Sequence, residues 1–250
     1  MIRAEARRVW GSPAYLFTLL IGVVVPSAMA FMTSIQIRRN LEGGRPGAFV
    51  DTSLLGFGEV YGLLPCAMVL GVLAVAPELA PGVAKRGSGC ERLTVHLAVP
   101  RRFHALTVGV LVMLSAAAVS GLTLLVSHVV ALRVLGSAPD WGLDAPQRAA
   151  ALMATWAVIA LLSSTLAWIS RSIVIPLVIL VAGSSLAPVS YLLSLVTPLA
   201  RYLPDVAGAG IAVRGIGVEP LPAPTAFLTL ALWAVAALLV SAEVAARRDS

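Results

Sequence analysis

Residues 105–132 read A-L-T-V-G-V-L-V-M-L-S-A-A-A-V-S-G-L-T-L-L-V-S-H-V-V-A-L, 28 residues without one Asp, Glu, Lys or Arg. A helix of about 20 apolar residues crosses a bilayer, so this stretch spans one and overhangs it. Five more charge-free runs lie on either side: Ala14–Met32, Val60–Pro77, Ala149–Ser170, Ser172–Ala200 and Ala223–Ala242. Hydrocarbon holds no water to satisfy backbone N–H and C=O groups, so each run must be helical. Only Arg171 separates the fourth run from the fifth, which marks a tight helical turn at one surface. Pro176, Pro188 and Pro198 predict that the fifth run is kinked or broken. The expected fold is an all-α integral membrane protein of six transmembrane helices, with residues 1–250 as one domain.

Composition agrees. The 250 residues are 59% hydrophobic and 12% charged, with a mean hydropathy of +0.94. Soluble domains carry about 25% charged residues. A disordered chain, an ordinary soluble enzyme and a nucleic-acid-binding domain are excluded on that ground. The net charge of +6 is an orientation signal, because loops on the cytoplasmic side collect Lys and Arg. With six spans and the N-terminus inside, the inner segments hold 11 basic and 5 acidic residues, and the outer segments 7 of each. The whole basic excess then lies inside. Both termini are expected in the cytoplasm, with the chain in the inner (plasma) membrane. Arg3, Arg7 and Arg8, the apolar run and Ala28-Met29-Ala30 together resemble a signal peptide; the expectation here is an uncleaved first span.

Between the runs lie several informative segments. In residues 1–12, Met1, Ile2, Val9 and Trp10 alternate with Arg3, Glu5, Arg7 and Arg8. That pattern suits an interfacial amphipathic helix with Trp10 at headgroup depth, and equally an ordinary basic flank. Val206-Ala-Gly-Ala-Gly-Ile-Ala-Val is too short and Gly-rich to span. It suits a re-entrant or interfacial piece on the outer side, before the last span. No internal repeat is visible.

Several chemistries are missing. A phosphate-binding loop needs Gly-Lys-Ser/Thr, but the single lysine, Lys85, is followed by Arg86. There is no H-E-x-x-H. Gly183-Ser184-Ser185 has no later histidine to serve as base, since His96, His104 and His128 all precede it. Cys66 and Cys90 form neither a disulfide framework nor a zinc site. The six runs hold no Asp, Glu, Lys or Arg, and charged groups inside spans are what mark ion and proton paths. The pattern suits a conduit powered from elsewhere, for an apolar or amphiphilic cargo. No catalytic residue, metal or cofactor is expected in this chain.

The inner segment Glu78–His104 is where a cytoplasmic partner could act. Pro81, Gly82, Gly87 and Gly89 keep its first half irregular. Cys90–Ala98 can form a short helix with Leu93 and Leu97 on one face and Glu91 and Arg92 beside it, stopped by Pro100. Arg101 and Arg102 follow at the headgroup boundary. A solvated basic loop held by anionic lipid fits the same residues.

These features resemble the permease (transmembrane) subunits of type-2 ABC exporters, which have about 250 residues, six spans and both termini inside. Glu78 stands for the acid of their loop motif, Leu93 and Leu97 for its leucines, Pro100 for its proline and Arg102 for its arginine, with Gly109 at the later glycine. Gly89-Cys90 replaces a Gly-Thr pair, Arg101 a Ser, and Val110 a Lys. Residues 199–212 resemble the outer re-entrant segment before the last span. The resemblance implies that residues 1–12, with Arg3, Arg7, Arg8 and Trp10, form a connecting helix. It implies that the helix around Cys90–Ala98 docks on a separate P-loop ATPase, which binds ATP and Mg. It implies a second permease chain, with the cargo path between the two. Membrane lipids surround the chain, and the inner location of the basic excess leaves no support for a nucleic-acid partner. Two other readings stay open: an integral-membrane enzyme acting on lipid substrates, and a structural or assembly subunit of a membrane complex.

Overall fold

A glycine, a serine and a proline set the first break in the chain. Helix α1 (Ile2–Trp10) ends where the Gly11 N–H bonds back to the Arg7 carbonyl at 2.8 Å. Pro13 pushes Ser12 into extended backbone and then opens α2 (Pro13–Gly43). The computed structural model describes residues 2–44, 51–79, 101–185, 189–213 and 220–247. Every regular element among them is helical.

After α2 come α3 (Phe57–Gly62) and α4 (Leu64–Leu79), divided at Leu63. Then follow α5 (Arg101–Leu135) and α6 (Ala145–Ser170). The expected turn at Arg171 is present: this residue sits in the left-handed region at φ 53°, and its N–H bonds the Ala167 carbonyl at 3.1 Å. The Ser172 hydroxyl accepts from the N–H groups of Val174 and Ile175, opening α7 (Val174–Ser185). The chain continues through α8 (Val189–Val196), a 3-10 turn (Pro198–Tyr202), α9 (Pro204–Ala212) and α10 (Ala223–Ala246).

Four helices, α2, α5, α6 and α10, are long and apolar enough to cross a membrane, and α4 is a shorter apolar helix. The chain is therefore multi-pass and all-helical. Two of the six expected runs depart from single long helices. The second is split at Leu63. The fifth, expected to be kinked or broken, is divided between α7, α8 and the 3-10 turn. Pro198 starts that turn, while Pro188 lies outside the described residues.

Helix α6 is the hub, packing on α4, α5, α7, α9 and α10. Of its most apolar window 67% is buried, against 22% for α2. Trp156 of α6 is fully buried, and its indole N–H donates to the Val60 carbonyl at 3.2 Å. Without that partner the indole would carry an unsatisfied donor into an apolar core. Buried hydroxyls satisfy themselves on the preceding turn, as Thr155 does on Ala151 and Ser163 on Ile159. Two also join helices: Thr165 meets the Ser241 hydroxyl at 2.8 Å, and Thr123 donates to the Gly22 carbonyl at 3.1 Å. Such contacts are worth about 0.6 kcal/mol each within a bilayer. Small residues bring backbones close. A Cβ on Gly71 of α4 would land on the backbone oxygen of Ala160 in α6.

Gly71→Ala is therefore expected to destabilise the protein by about 1–3 kcal/mol, read as thermal unfolding in detergent. Gly58→Ala, in a helix where the added methyl meets nothing within 4 Å, should be neutral or slightly stabilising. Equal effects of the two would show that the α4–α6 approach is not tight.

Candidate functional site at one end of the bundle

Four ionisable side chains from three elements meet where α1 abuts the end of α4 and the start of α5. Arg8 of α1 donates from Nη2 to Glu78 Oε1 at 2.6 Å, and its Nε lies 3.0 Å from Glu5 Oε2. His104 stands between the two carboxylates, with Nε2 at 2.6 Å from Glu78 Oε1 and Nδ1 at 3.2 Å from Glu5 Oε1. The His104, Glu5 and Glu78 side chains are 4%, 5% and 10% exposed. Two carboxylates, one guanidinium and one imidazolium sum to zero charge. Burial at the membrane boundary is tolerable on that condition alone.

Glu78 follows the apolar run Val60–Pro77, and His104 precedes Ala105–Leu132, so both lie outside the spanning segments. Burial alone would lower the His104 pKa. Hydrogen bonds to Glu5 and Glu78 outweigh burial and the repulsion of Arg8, and raise it to about 9. His104 is thus doubly protonated at neutral pH, and each ring N–H has a carboxylate to donate to. Burial would raise Glu78 and Glu5. The bond from His104 and the charge of Arg8 overcome it, and both carboxyls fall below their ordinary value.

Only part of the loop expected to act lies in view. Glu91, Arg92, Leu93, Leu97 and Pro100, with Gly89, Cys90 and the rest of the expected docking helix, lie outside the described residues. Both roots of that loop are described. Glu78 at one root is buried in the ionic cluster. Arg101 begins α5 at the other. Arg102 stands 3.7 Å from Glu243 near the end of α10, an exposed pair of small energetic weight. In α1, Arg3 falls within the helix, Arg7 is exposed and Arg8 joins the cluster. Trp10 is half exposed, and its Nε1 donates to the Ser115 hydroxyl of α5 at 3.1 Å. The expected interfacial helix is therefore clamped to α5 at two levels.

The far end of the bundle has a second buried cation. Arg148, fully buried in the first turn of α6, donates from Nε to the Ala212 carbonyl at 3.0 Å and from Nη1 to the Trp141 carbonyl at 3.1 Å. Its guanidinium lies 4.1 Å from the centre of the Phe57 ring. Trp141 packs edge-on against Phe57 and donates to the Leu55 carbonyl at 2.9 Å. The C-terminal carbonyls of α9 carry partial negative charge, which a guanidinium complements. In sequence, Arg148 reads as one more loop charge.

The roles of Glu5, His104 and Arg148 were not assigned from sequence. Glu5 and Arg8 stand three apart on one helix, a visible ion-pair spacing. His104 and Glu78 flank consecutive apolar runs of opposite direction, which puts them at one membrane face. Nothing in the sequence couples Arg148 to Ala212. Among the described residues no group of three or more His, Cys, Asp or Glu could hold a metal. Cys66 is a buried free thiol whose Sγ donates to the Thr18 carbonyl. Comparison of the chain with family models, curated proteins and solved structures finds no match.

The cluster has a defined pH signature. The folded pKa of His104, about 9, exceeds its ordinary 6.5, so its stabilisation is complete below pH 6.5 and lost as pH rises through 9. The lowered carboxyls contribute above their ordinary 4.5 and lose that contribution in acid. Between pH 7 and 10 the protein should lose on the order of 2–3 kcal/mol of stability, seen as a falling thermal midpoint. His104→Gln should flatten that profile. An unchanged fall in the variant would remove His104 as its source.

Proposed function

We propose that this chain is the transmembrane permease subunit of an ATP-driven exporter of the type-2 ABC class. Two permease chains would enclose the cargo path, each coupled to a separate P-loop ATPase through the loop at 78–104. The observation that carries the reading is the ionic cluster. Through Glu78 and His104, both roots of that loop are tied to α1, and α1 runs into α2 across Gly11–Ser12. A pull on the loop therefore moves the end of α4, the start of α5 and the first span as one body. A chain that turns an ATPase's closure into a motion of its spans needs that linkage, and the ATPase supplies the energy that this chain has no phosphate-binding loop to draw.

The order of helix ends supports the six-span path. Glu78 at the end of α4, the start of α5 and Glu243 near the end of α10 share the face of α1. The end of α2 and the start of α6 belong to the opposite face, where Arg38 reaches Val134 and Arg148 reaches Trp141. The chain must then return between Arg171 and Ala223, and α7 with α8 would make that crossing in two pieces. Helix α9, mostly buried against α6 and α10, would be the outer re-entrant segment. The basic excess supports a cytoplasmic position for the α1 face and for both termini. ATP binding would draw the two loops together and shift the spans toward a cargo-releasing state. Spans free of charge favour a hydrophobic or amphiphilic cargo; export of a charged polysaccharide but not of a lipophilic drug would overturn that choice.

Purification in mild detergent, from cells expressing the neighbouring genes, is expected to bring down a P-loop ATPase in equal amount. Leu93→Asp, or Arg101→Glu with Arg102→Glu, should abolish transport and release the ATPase while the chain still inserts. Glu78→Ala should leave the ATPase bound but uncouple hydrolysis from transport. A chain that purifies alone, with no ATPase encoded nearby, would overturn the exporter reading and favour a lipid enzyme or an assembly subunit.

A further inference from the structure

At the end of the bundle opposite the ionic cluster, the last turns of α2 and α5 stand side by side and leave a groove of about 420 Å³ between them. Its polar lining is Arg38, Arg39, Glu42 and Arg133, and its apolar lining is Phe31, Ile35 and Val134. One of the three arginines is already engaged. Arg38 donates from Nε to Glu42 at 2.8 Å and from Nη1 to the Val134 carbonyl at 3.3 Å. Arg39 and Arg133 are exposed, and among the described residues neither forms a hydrogen bond or an ion pair. Among the described residues the groove thus carries two guanidinium groups without a counter-ion, net +2, over an apolar floor.

Its depth says what such a groove meets. The apolar run of α2 ends at Met32 and that of α5 at Leu132, so Phe31 lies at the edge of the hydrocarbon and Arg133 immediately beyond it. One and two turns before Arg133, exposed Val129 and Leu125 continue the same face of α5 toward the bilayer centre, a path for acyl chains. Arginines at a helix C-terminus complement the helix dipole, but that accounts for neither the shared cavity nor the apolar wall running down from it. A small soluble anion would satisfy the charge and leave the floor unused. A molecule with a phosphate at headgroup height and acyl chains beneath satisfies both, and guanidinium groups bind phosphate oxygens in pairs.

We propose that this groove is a binding site for one anionic phospholipid, its headgroup phosphate held between Arg39 and Arg133 and its acyl chains lying along Phe31 and the exposed faces of α2 and α5. The inference needs a membrane-embedded chain and is independent of the exporter reading.

The test is native mass spectrometry of the full chain released from bilayers of phosphatidylcholine with a minority of phosphatidylglycerol. Wild type is expected to keep one phosphatidylglycerol per chain. A basic residue beside an anionic lipid surface is worth about a factor of five. Arg39→Gln and Arg133→Gln should therefore each weaken retention roughly fivefold, and the pair together about 25-fold if the two act independently. Arg3→Gln with Arg7→Gln, at the other face, should leave it unchanged. Retention by the double variant equal to wild type would overturn the proposal, as would the same loss from the Arg3 and Arg7 variants. Displacement of the lipid by millimolar inorganic phosphate would overturn the phospholipid assignment in favour of a bare phosphate site. Should the double variant fail to fold, the single variants carry the same decision.

Discussion

Charge buried at the edge of hydrocarbon must be cancelled on the spot, and one end of this protein is organised around that requirement. His104 is held between Glu5 and Glu78, and Arg8 supplies the second positive charge. No one element could bring this set together. The short first helix contributes an acid and a base, α4 an acid at its last turn, and α5 the imidazole at its first. Removing any one leaves a buried charge without its partner, which costs several kcal/mol where removing a whole pair costs far less. This arithmetic holds α1 in place together with Val9, which is buried in the main core.

The opposite end solves a related problem with dipoles. Arg148 is buried against carbonyl oxygens of Trp141 and Ala212 and against the face of Phe57. The carbonyl oxygens and the ring face hold the guanidinium through directed contacts. Between the two ends, the helices are joined by close backbone approach at Gly71 and by hydroxyl bridges such as Thr165–Ser241. Two stiff, polar ends thus bracket a smooth apolar middle.

Much of the architecture was legible in the sequence, because a missing charge over 20 residues has one physical meaning in a membrane. The helices at 101–135, 145–170 and 223–246 and the turn at Arg171 follow from that reading. The break at Leu63 was not expected, although Gly62 and Pro65 flank it: Pro65, in the first turn of α4, lacks the N–H that a continuous helix would need and its ring crowds the Tyr61 carbonyl. The fifth run was foreseeable as broken from its prolines, though not where its pieces would end. For the site, the segment was legible and its chemistry was not. Glu78, Arg8 and Trp10 stood out as boundary residues, yet Glu78 serves as an internal counter-ion and Trp10 as a donor to Ser115. Pairing across 70 to 105 residues of chain leaves no local pattern to read. Arg148 is the extreme case, since it reaches backbone oxygens and a ring face.

The unequal lengths of the helices bear on the surrounding bilayer. The apolar run of α5 would extend about 42 Å along its axis, while α7, with 12 residues, extends about 18 Å. Hydrocarbon is about 30 Å thick. One flank of the protein therefore matches a thick bilayer or a tilted helix, and the other favours lipid that is thinned or chains that are bent inward. The perimeter imposes a thickness gradient, and the elastic cost of that gradient is borne by the membrane. Acyl-chain length is therefore a variable to which the packing of α7 against α4 and α6 is exposed.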